Sequence, residues 1–272
     1  MIRLAVRAPA WSAEQVLGAM IELSPSGIEQ VDGDGWVEFA VYGAPGELPE
    51  LALGEAEVAG VLVQVSGREV PEDWEERWKR FHVPVLVAER VYVRPPWEEA
   101  LVGRPEVIDI VIDPGRAFGT GAHPTTRLCL ELLCGLAERG ESGSVSDLGC
   151  GSGVLSIAAA RLGFGPVACY DADPLALEAT EANAAANGVS LSTVERVELR
   201  DRPAPRADVV VANLMCPLLL RVAALMEQGP RVLIASGLLD HEADQVADAF
   251  APGLHERRRL SDRGWSAVLC RP

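Results

Sequence analysis

The stretch Asp147-Leu148-Gly149-Cys150-Gly151-Ser152-Gly153 decides how this chain folds. It follows a predicted strand, 144–147, and opens a predicted helix, 154–162. Glycine lets the backbone approach a ligand closely, and a helix N-terminus offers N–H groups that have no partner within the helix. The stretch therefore predicts a strand, a ligand-binding turn and a helix, as at the start of a Rossmann-like α/β domain.

The spacing of these glycines distinguishes two kinds of ligand. A dinucleotide-binding turn has the pattern G-x-G-x-x-G, and here the third glycine comes one residue early. A dinucleotide also needs a long anion cradle for its pyrophosphate, whereas S-adenosyl-L-methionine carries no phosphate. The spacing favours the methyl donor over NAD, and a tight turn without a ligand is the remaining alternative.

Two polar residues stand at the ends of the next predicted strands. Asp171 comes twenty residues after Gly151, where a carboxylate can accept hydrogen bonds from both hydroxyls of a ribose. Asn213 ends the apolar run Val209-Val-Val-Ala212. Ligands of doubly wound sheets bind at the carboxyl ends of the strands, so we expect both side chains at the ligand site. A helix cap is the alternative role for each of them.

A shaped loop precedes the glycine turn. It reads Asp113-Pro-Gly-Arg-Ala-Phe-Gly-Thr-Gly-Ala-His-Pro-Thr-Thr126, with three glycines and two prolines. Phe118 can cover a ligand, and Thr125 or Thr126 can form a hydrogen bond to one. His123 is a candidate base or a structural hydrogen-bonding group.

Strands and helices alternate through the rest of the chain, which indicates a parallel sheet covered on both faces. A final predicted hairpin, 254–260 with 265–270, adds an antiparallel edge to this sheet. The predicted helices are 124–138, 154–162, 174–187, 217–227 and 242–250. The predicted strands before the hairpin are 85–88, 91–93, 107–112, 144–147, 167–170, 194–197, 208–212 and 231–235.

The first 70 residues follow a β-α-β-β-α-β pattern, the order of a ferredoxin-like split βαβ module. The predicted strands are 2–7, 27–31, 36–42 and 61–65, and the predicted helices are 13–23 and 45–57. A short amphipathic segment follows, with Trp74, Trp78 and Phe81 on one face, which is typical of an inter-domain connector or of an ordinary core helix. We therefore expect a ferredoxin-like domain over 1–70, a helical linker over 71–82 and a catalytic domain over 83–272.

Composition limits the partners and the location. The net charge is −16, which argues against a large nucleic-acid surface and favours a basic partner, or serves solubility alone. Residues 1–70 hold eleven Asp and Glu against three Arg. Six cysteines form no CxxC pair and no zinc-ligand spacing, so we expect free thiols and no metal. No membrane span or signal peptide is predicted, and we expect a cytoplasmic protein.

These motifs resemble the PrmA family, bacterial methyltransferases of ribosomal protein eleven of the large subunit. The matching stretches span about 200 residues: 74–81, DPGRAFGTGAHPTTRLCL (113–130), DLGCGSGVLSIAA (147–159), 171–174, EANAAANGV (181–189), VVANL (210–214) and 236–239. The 113–130 loop joined to the glycine turn is far more specific than the turn alone.

The resemblance implies a class I S-adenosylmethionine-dependent methyltransferase domain and an N-terminal domain that recognises the substrate. It implies donor contacts at Thr126, Gly149, Asp171 and Asn213, to which the turn adds Gly151. It also implies trimethylation of lysine side chains and of the N-terminal amine of a basic ribosomal protein. We expect no direct contact with nucleic acid or membrane, and a monomer.

Alternatives remain at this point. Asn213 and the carbonyl that follows it are hypothesised to orient the amine, with Phe118 and His123 in the substrate pocket. A release factor or an RNA is the alternative substrate, although the NPPY motif of the release-factor enzymes is absent at Asn213-Leu-Met-Cys216. An NAD-dependent dehydrogenase and a donor-binding assembly module without activity are the other possibilities.

Overall fold

The computed structural model describes residues 2–23, 28–43, 48, 53–69, 82–114, 119, 121–251 and 253–272. It divides into two compact units. One comprises residues 1–81 with 115–118, and the other comprises 82–114 with 119–272. The predicted helical linker falls almost entirely on 71–81, outside the described residues.

The N-terminal unit contains a five-stranded antiparallel sheet. Helix α1 (Ala13–Leu23) has the predicted bounds, and it buries Val16 and Met20 against alternate side chains of the strands. The strand order is β2-β3-β1-β5-β4. The strands are β1 (Ile2–Pro9), β2 (Glu29–Gly33), β3 (Trp36–Gly43), β4 (Gly54–Val58) and β5 (Val61–Glu69).

The order β2-β3-β1-β5, with each neighbouring pair antiparallel, agrees with a split βαβ module. The second helix of such a module was expected over 45–57. Most of that range, 45–47 and 49–52, lies outside the described residues. The ferredoxin-like assignment of this unit therefore stays a prediction.

The prediction is wrong for the last part of that helix, because residues 54–57 belong to strand β4. Ala56 and Val58 alternate toward the core and pair with Val63 and Val61 of β5. The turn between the strands is Ala59-Gly60, with φ of 51° and 77°. Positive φ at both central residues suits a two-residue hairpin, which fixes β4 as a strand.

The second unit is built on a seven-stranded sheet in the order β11-β10-β9-β12-β13-β15-β14. The first five strands are parallel, and the C-terminal hairpin adds the predicted antiparallel edge. The strands are β9 (Val145–Leu148), β10 (Val167–Asp171), β11 (Thr193–Arg196), β12 (Val209–Asn213), β13 (Val232–Leu239), β14 (His255–Asp262) and β15 (Trp265–Arg271).

Helices cover both faces of this sheet and enclose two apolar clusters. They are α2 (Pro124–Glu138), α3 (Val154–Arg161), α4 (Pro174–Ala186), α5 (Cys216–Leu225) and α6 (Ala243–Phe250). Strand β9 is the middle one of the five parallel strands, and all four of its residues are buried. The predicted Rossmann-like architecture is the one observed, and it brings the carboxyl ends of β9, β10 and β12 side by side.

A small second sheet lies in the same unit. It contains β6 (Val85–Val87), β7 (Val91–Arg94) and β8 (Ile108–Val111), with β7 and β8 parallel. Strand β8 leads directly into the Asp113 loop. All six cysteines are buried and free, as expected. Among the helices of the described residues, none combines the length and the apolarity needed to cross a bilayer.

Candidate functional site

The glycine turn between β9 and α3 forms the floor of the site. Gly149, Gly151 and Gly153 have φ of 72°, 55° and 79°, in the left-handed region that favours glycine. A Cβ on Gly149 would lie 2.3 Å from Cδ2 of Leu214, and one on Gly153 would lie 3.2 Å from Cα of Thr180. The turn therefore needs glycine both for its backbone conformation and for its close packing.

Strand register brings the predicted donor residues together. Leu148 pairs with Tyr170 on one side and with Ala212 on the other. The next residues, Gly149, Asp171 and Asn213, therefore emerge next to one another at the same edge of the sheet. Neighbouring strands lie about 4.8 Å apart, so the three residues span about 10 Å.

The Asp171 carboxylate is fixed by backbone N–H groups. Gly151 N donates to its Oδ2 at 3.0 Å, and Asp173 N donates to its Oδ1 at 3.0 Å. A carboxylate has about four acceptor positions, so each oxygen can still accept a further hydrogen bond. The helix that follows is capped by Asp173, which accepts from Leu175 N at 2.9 Å. Asp171, at the end of β10, is thus not needed as the cap of this helix.

Asn213 and Thr126 meet on the other side of Gly149. The Asn213 carboxamide donates from Nδ2 to Thr126 Oγ1 at 3.4 Å, and Thr126 is fully buried on α2. This contact leaves the acceptor Oδ1 of Asn213 for another group. The structure therefore brings together five predicted donor residues: Thr126, Gly149, Gly151, Asp171 and Asn213.

The backbone after Asn213 is held by a bulge in β13. Leu214 N donates to Ser236 O at 2.9 Å. The register of β13 shifts between Ser236 and Leu238, and Gly237 has a φ of 87°. A Cβ on Gly237 would lie 2.3 Å from Leu214 O, so only glycine allows this approach. No role for Gly237 follows from the sequence alone, although its stretch, 236–239, is among those that carry the family resemblance.

His123 is the N-cap of α2. Its Nδ1 accepts from Thr125 N at 3.4 Å and lies 2.8 Å from Thr125 Oγ1. Its ring packs edge-on to Trp265. Burial, and then the charge of Arg127, lowers the pKa of His123 to about 4. His123 is therefore neutral near pH 7 and too weak a base to deprotonate an ammonium group. Phe118, the other pocket candidate, lies outside the described residues.

Asp147 is buried beneath the turn. Ser156 Oγ donates to its Oδ2 at 2.6 Å, while Oδ1 has no hydrogen-bond partner among the described residues. Burial raises the pKa of Asp147 to about 7. No group of three His, Cys, Asp or Glu side chains within the described ranges is placed to hold a metal ion.

Three residues that hold the turn were missed by the sequence analysis. Thr180 Oγ1 donates to Gly151 O at 2.9 Å, Asn183 Nδ2 donates to Ser152 O at 2.9 Å, and Ser152 Oγ donates to Gly119 O at 2.6 Å. Thr180 and Asn183 lie one turn apart on α4 and are both buried. Their signal was present, since they are polar residues at i and i+3 in the alanine-rich stretch EATEANAAAN.

The arrangement suits an adenosyl ligand. A fixed carboxylate at Asp171 offers acceptors for two ribose hydroxyls, and the glycine turn leaves backbone accessible beside it. Asn213 adds a carboxamide oxygen at the same edge of the sheet. The chemistry of these groups therefore fits S-adenosylmethionine, in agreement with the spacing of the turn.

Comparison with known proteins identifies the family of this chain. The family model described as ribosomal protein L11 methyltransferase (PrmA) matches residues 50–271. The L11 methyltransferase of Pectobacterium atrosepticum is 43% identical over 187 residues, which is 66% of this chain and 61% of that protein. The L11 methyltransferase of Pelotomaculum thermopropionicum is 42% identical over 235 residues, covering 82% and 74% of the two chains.

A solved structure shares the fold. The ribosomal protein L11 methylase of Lactobacillus delbrueckii subsp. bulgaricus superposes with a TM-score of 0.61 and 25% identity, over 70% of this chain and 97% of that one. The match with the first curated relative spans less than two thirds of that relative's length.

Proposed function

Because this chain belongs to the PrmA family of ribosomal protein L11 methyltransferases, we propose that it transfers methyl groups from S-adenosylmethionine to amines of that ribosomal protein. The predicted family, the class I methyltransferase fold and the cofactor S-adenosylmethionine are confirmed by this membership. The observation that carries the proposal is the meeting of Gly149, Asp171 and Asn213 at one edge of the sheet.

The donor contacts are part of the proposal. Asp171 binds the ribose hydroxyls through the acceptor positions that its two backbone bonds leave open. Gly149 and Gly151 provide accessible backbone beside it. Thr126 fixes the carboxamide of Asn213, and Phe118 and His123 line the substrate pocket, His123 as a neutral group.

The bound donor supplies an electrophilic methyl group, so the protein must present an amine with a free lone pair in line with it. The carboxamide oxygen of Asn213 accepts one N–H of that amine, and the carbonyl of Leu214, held in place by Ser236 and Gly237, accepts another. Water takes the displaced proton, because neutral His123 is too weak a base.

The acceptors in the proposal are lysine side chains and the N-terminal amine, with up to three methyl groups each. A free lysine has a pKa of about 10.4 and an α-amine about 7.7–8.0, so the α-amine is the more often neutral at pH 7. A pocket that removes water lowers the pKa of a lysine and makes it a better acceptor.

Recognition of the substrate is assigned to residues 1–70, with 71–82 as linker and 83–272 as catalytic domain. The acidic balance of residues 1–70 supports a basic partner. The proposal describes a cytoplasmic monomer that contacts the ribosomal protein, free or on the ribosome, without direct contact with RNA or membrane.

The test is methyl transfer from tritiated S-adenosylmethionine to purified ribosomal protein L11, followed by mass spectrometry of the product. We expect label on lysines and on the N-terminal amine. Parallel reactions contain a release factor or ribosomal RNA in place of the protein. Label on either of these, with none on the ribosomal protein, would replace the proposed substrate, and binding of NAD but not of the donor would remove the enzyme class.

A further inference from the structure

The two asparagines of the EANAAANGV stretch lie against the strand that leads into the Asp113 loop. Asn187 Oδ1 accepts from Val111 N at 2.8 Å, and its Nδ2 donates to Val111 O at 2.6 Å. Strand β8 pairs with β7 on its other side. The Asn187 carboxamide thus forms with the backbone of Val111 the two hydrogen bonds that a neighbouring strand would otherwise form.

Asn183 makes a different connection. Its Oδ1 accepts from Asp113 N at 3.0 Å, and its Nδ2 donates to Ser152 O at 2.9 Å. Only 4% of Asn183 is exposed, so both ends of its carboxamide depend on these partners. One buried side chain therefore joins the start of the Asp113 loop to the glycine turn.

The register of these contacts follows from helix and strand geometry. Four residues of a helix rise about 6.0 Å, and two residues of a strand rise about 6.6 Å. Asn183 and Asn187 are four apart, and Val111 and Asp113 are two apart. The two carboxamides therefore match alternate backbone N–H groups of the chain entering the loop.

A second bond links the same turn to Gly119, a later residue of the loop. Ser152 Oγ donates to Gly119 O at 2.6 Å, and Ser152 is fully buried. Asp113 and Gly119 are thus both tied to Ser152, one through Asn183 and the other directly. The loop continues from Gly119 to Thr126, the partner of Asn213.

We propose that Asn183 is a positioning residue that sets the backbone at Asp113 in register with the donor-binding turn through its bonds to Asp113 and Ser152. It touches neither donor nor acceptor in this proposal, and it acts through the backbone of Ser152. The inference rests on the proposed function for its kinetic consequence, but its effect on donor binding can be measured without methyl transfer.

The test compares Asn183→Asp with Asn187→Asp in the full chain. Asn183→Asp keeps an acceptor for Asp113 N but places an oxygen against Ser152 O, in a buried site. Asn187→Asp disturbs more side-chain hydrogen bonds, three against the two of Asn183, and none of the three involves the turn. Asn183→Ser is the second variant, which removes the carboxamide without adding charge.

The affinity of the donor site is measured by calorimetry with S-adenosylhomocysteine, which is the donor without its methyl group. The kinetic constants are measured by methyl transfer. We expect Asn183→Asp and Asn183→Ser to weaken donor binding by about 10-fold or more and to raise the KM of the donor likewise, as loss of a buried hydrogen bond implies. Asn187→Asp is expected to lower the melting temperature while changing donor affinity less than about 2-fold.

Equal changes in donor affinity for the two positions, each in proportion to lost stability, would show a structural role only and overturn the proposal. Unchanged donor affinity in both Asn183 variants would also overturn it. Donor binding that responds as expected, in a chain without activity on ribosomal protein L11, would reject the proposed substrate and leave the positioning role in place.

Discussion

Asn213 is the residue on which the proposed chemistry depends most directly. Its Nδ2 is bound to Thr126, so its Oδ1 can accept from the incoming amine. We expect Asn213→Ala to lower kcat by about 10- to 100-fold, because the amine loses its orientation. The measurement is single-turnover methyl transfer, with the melting temperature as a control for folding. Wild-type transfer and wild-type donor affinity in this variant would remove the role.

Asp147 makes the stability of the protein depend on pH. Burial raises its pKa from 3.8 to about 7, so the folded state binds the proton more tightly than the unfolded state. The contribution of Asp147 to the free energy of unfolding is therefore fully present below the pKa of the unfolded state. It is lost as the pH rises to about 7, by up to about 1.4 kcal/mol per pH unit. The loss reflects the cost of a carboxylate charge in a buried place.

Asp147→Asn is expected to abolish this slope, since asparagine can still accept from Ser156. Urea denaturation at half-unit pH steps gives the free energy of unfolding of wild type and variant. We expect the difference between the two to favour the variant increasingly up to pH 7. Asp208→Asn is the matched control. The Ser144 hydroxyl lowers the pKa of Asp208 from 3.8, so this carboxylate stays ionised between pH 5 and 7. The difference in the free energy of unfolding between wild type and Asp208→Asn is therefore expected to stay constant over that range. A flat difference for Asp147 as well would contradict the expectation.

At the level of elements, helix α2 begins at a cap that is also a candidate pocket residue. His123→Asn keeps a side-chain acceptor for the first turn, so we expect methyl transfer within about threefold of wild type. Removal of a general base would cost at least about 100-fold. His123→Ala is expected to lose about 1 kcal/mol of stability. The rate between pH 6 and 9 is the second readout, and a step near pH 6.5 that disappears in His123→Asn would assign His123 a catalytic proton.

The elements that the sequence predicted well are those with strong local signals. Strand β12, the glycine turn and α3 follow from an apolar run, three glycines and a helical pattern, and Asp173-Pro174 marks the start of α4. Strand β4 was missed because its alternation covers only five residues and the preceding acidic residues favour a helix. The bulge at Gly237 was missed because nothing local reveals that Leu214 packs against it.

The site was predicted in the same uneven way. Asp171 and Asn213 could be found because the ends of parallel strands meet at one edge. The contacts of Thr180 and Asn183 depend on how α4 packs beside the turn, which periodicity alone does not determine. The pKa of His123 also depends on tertiary burial, so its role as a cap rather than a base needed the structure.

On the scale of the whole molecule, the proposal separates donor binding from substrate recognition. The predicted donor residues belong to the unit built on the seven-stranded sheet, and the acidic excess lies in residues 1–70. Deletion of residues 1–70 is therefore expected to retain S-adenosylhomocysteine binding within about threefold and to abolish transfer to the ribosomal protein. Calorimetry and the tritium assay measure the two effects, and full transfer activity of the truncated chain would remove the recognition role.

Strand β14 ends the seven-stranded sheet and so exposes one row of backbone groups. An open strand edge invites a second chain to add to it, which can begin aggregation. Here the edge reads His255-Glu-Arg-Arg-Arg259, and its register with β15 shifts between Glu256 and Arg258. Charge and an irregular backbone together disfavour the addition of a second chain to this open edge of the sheet.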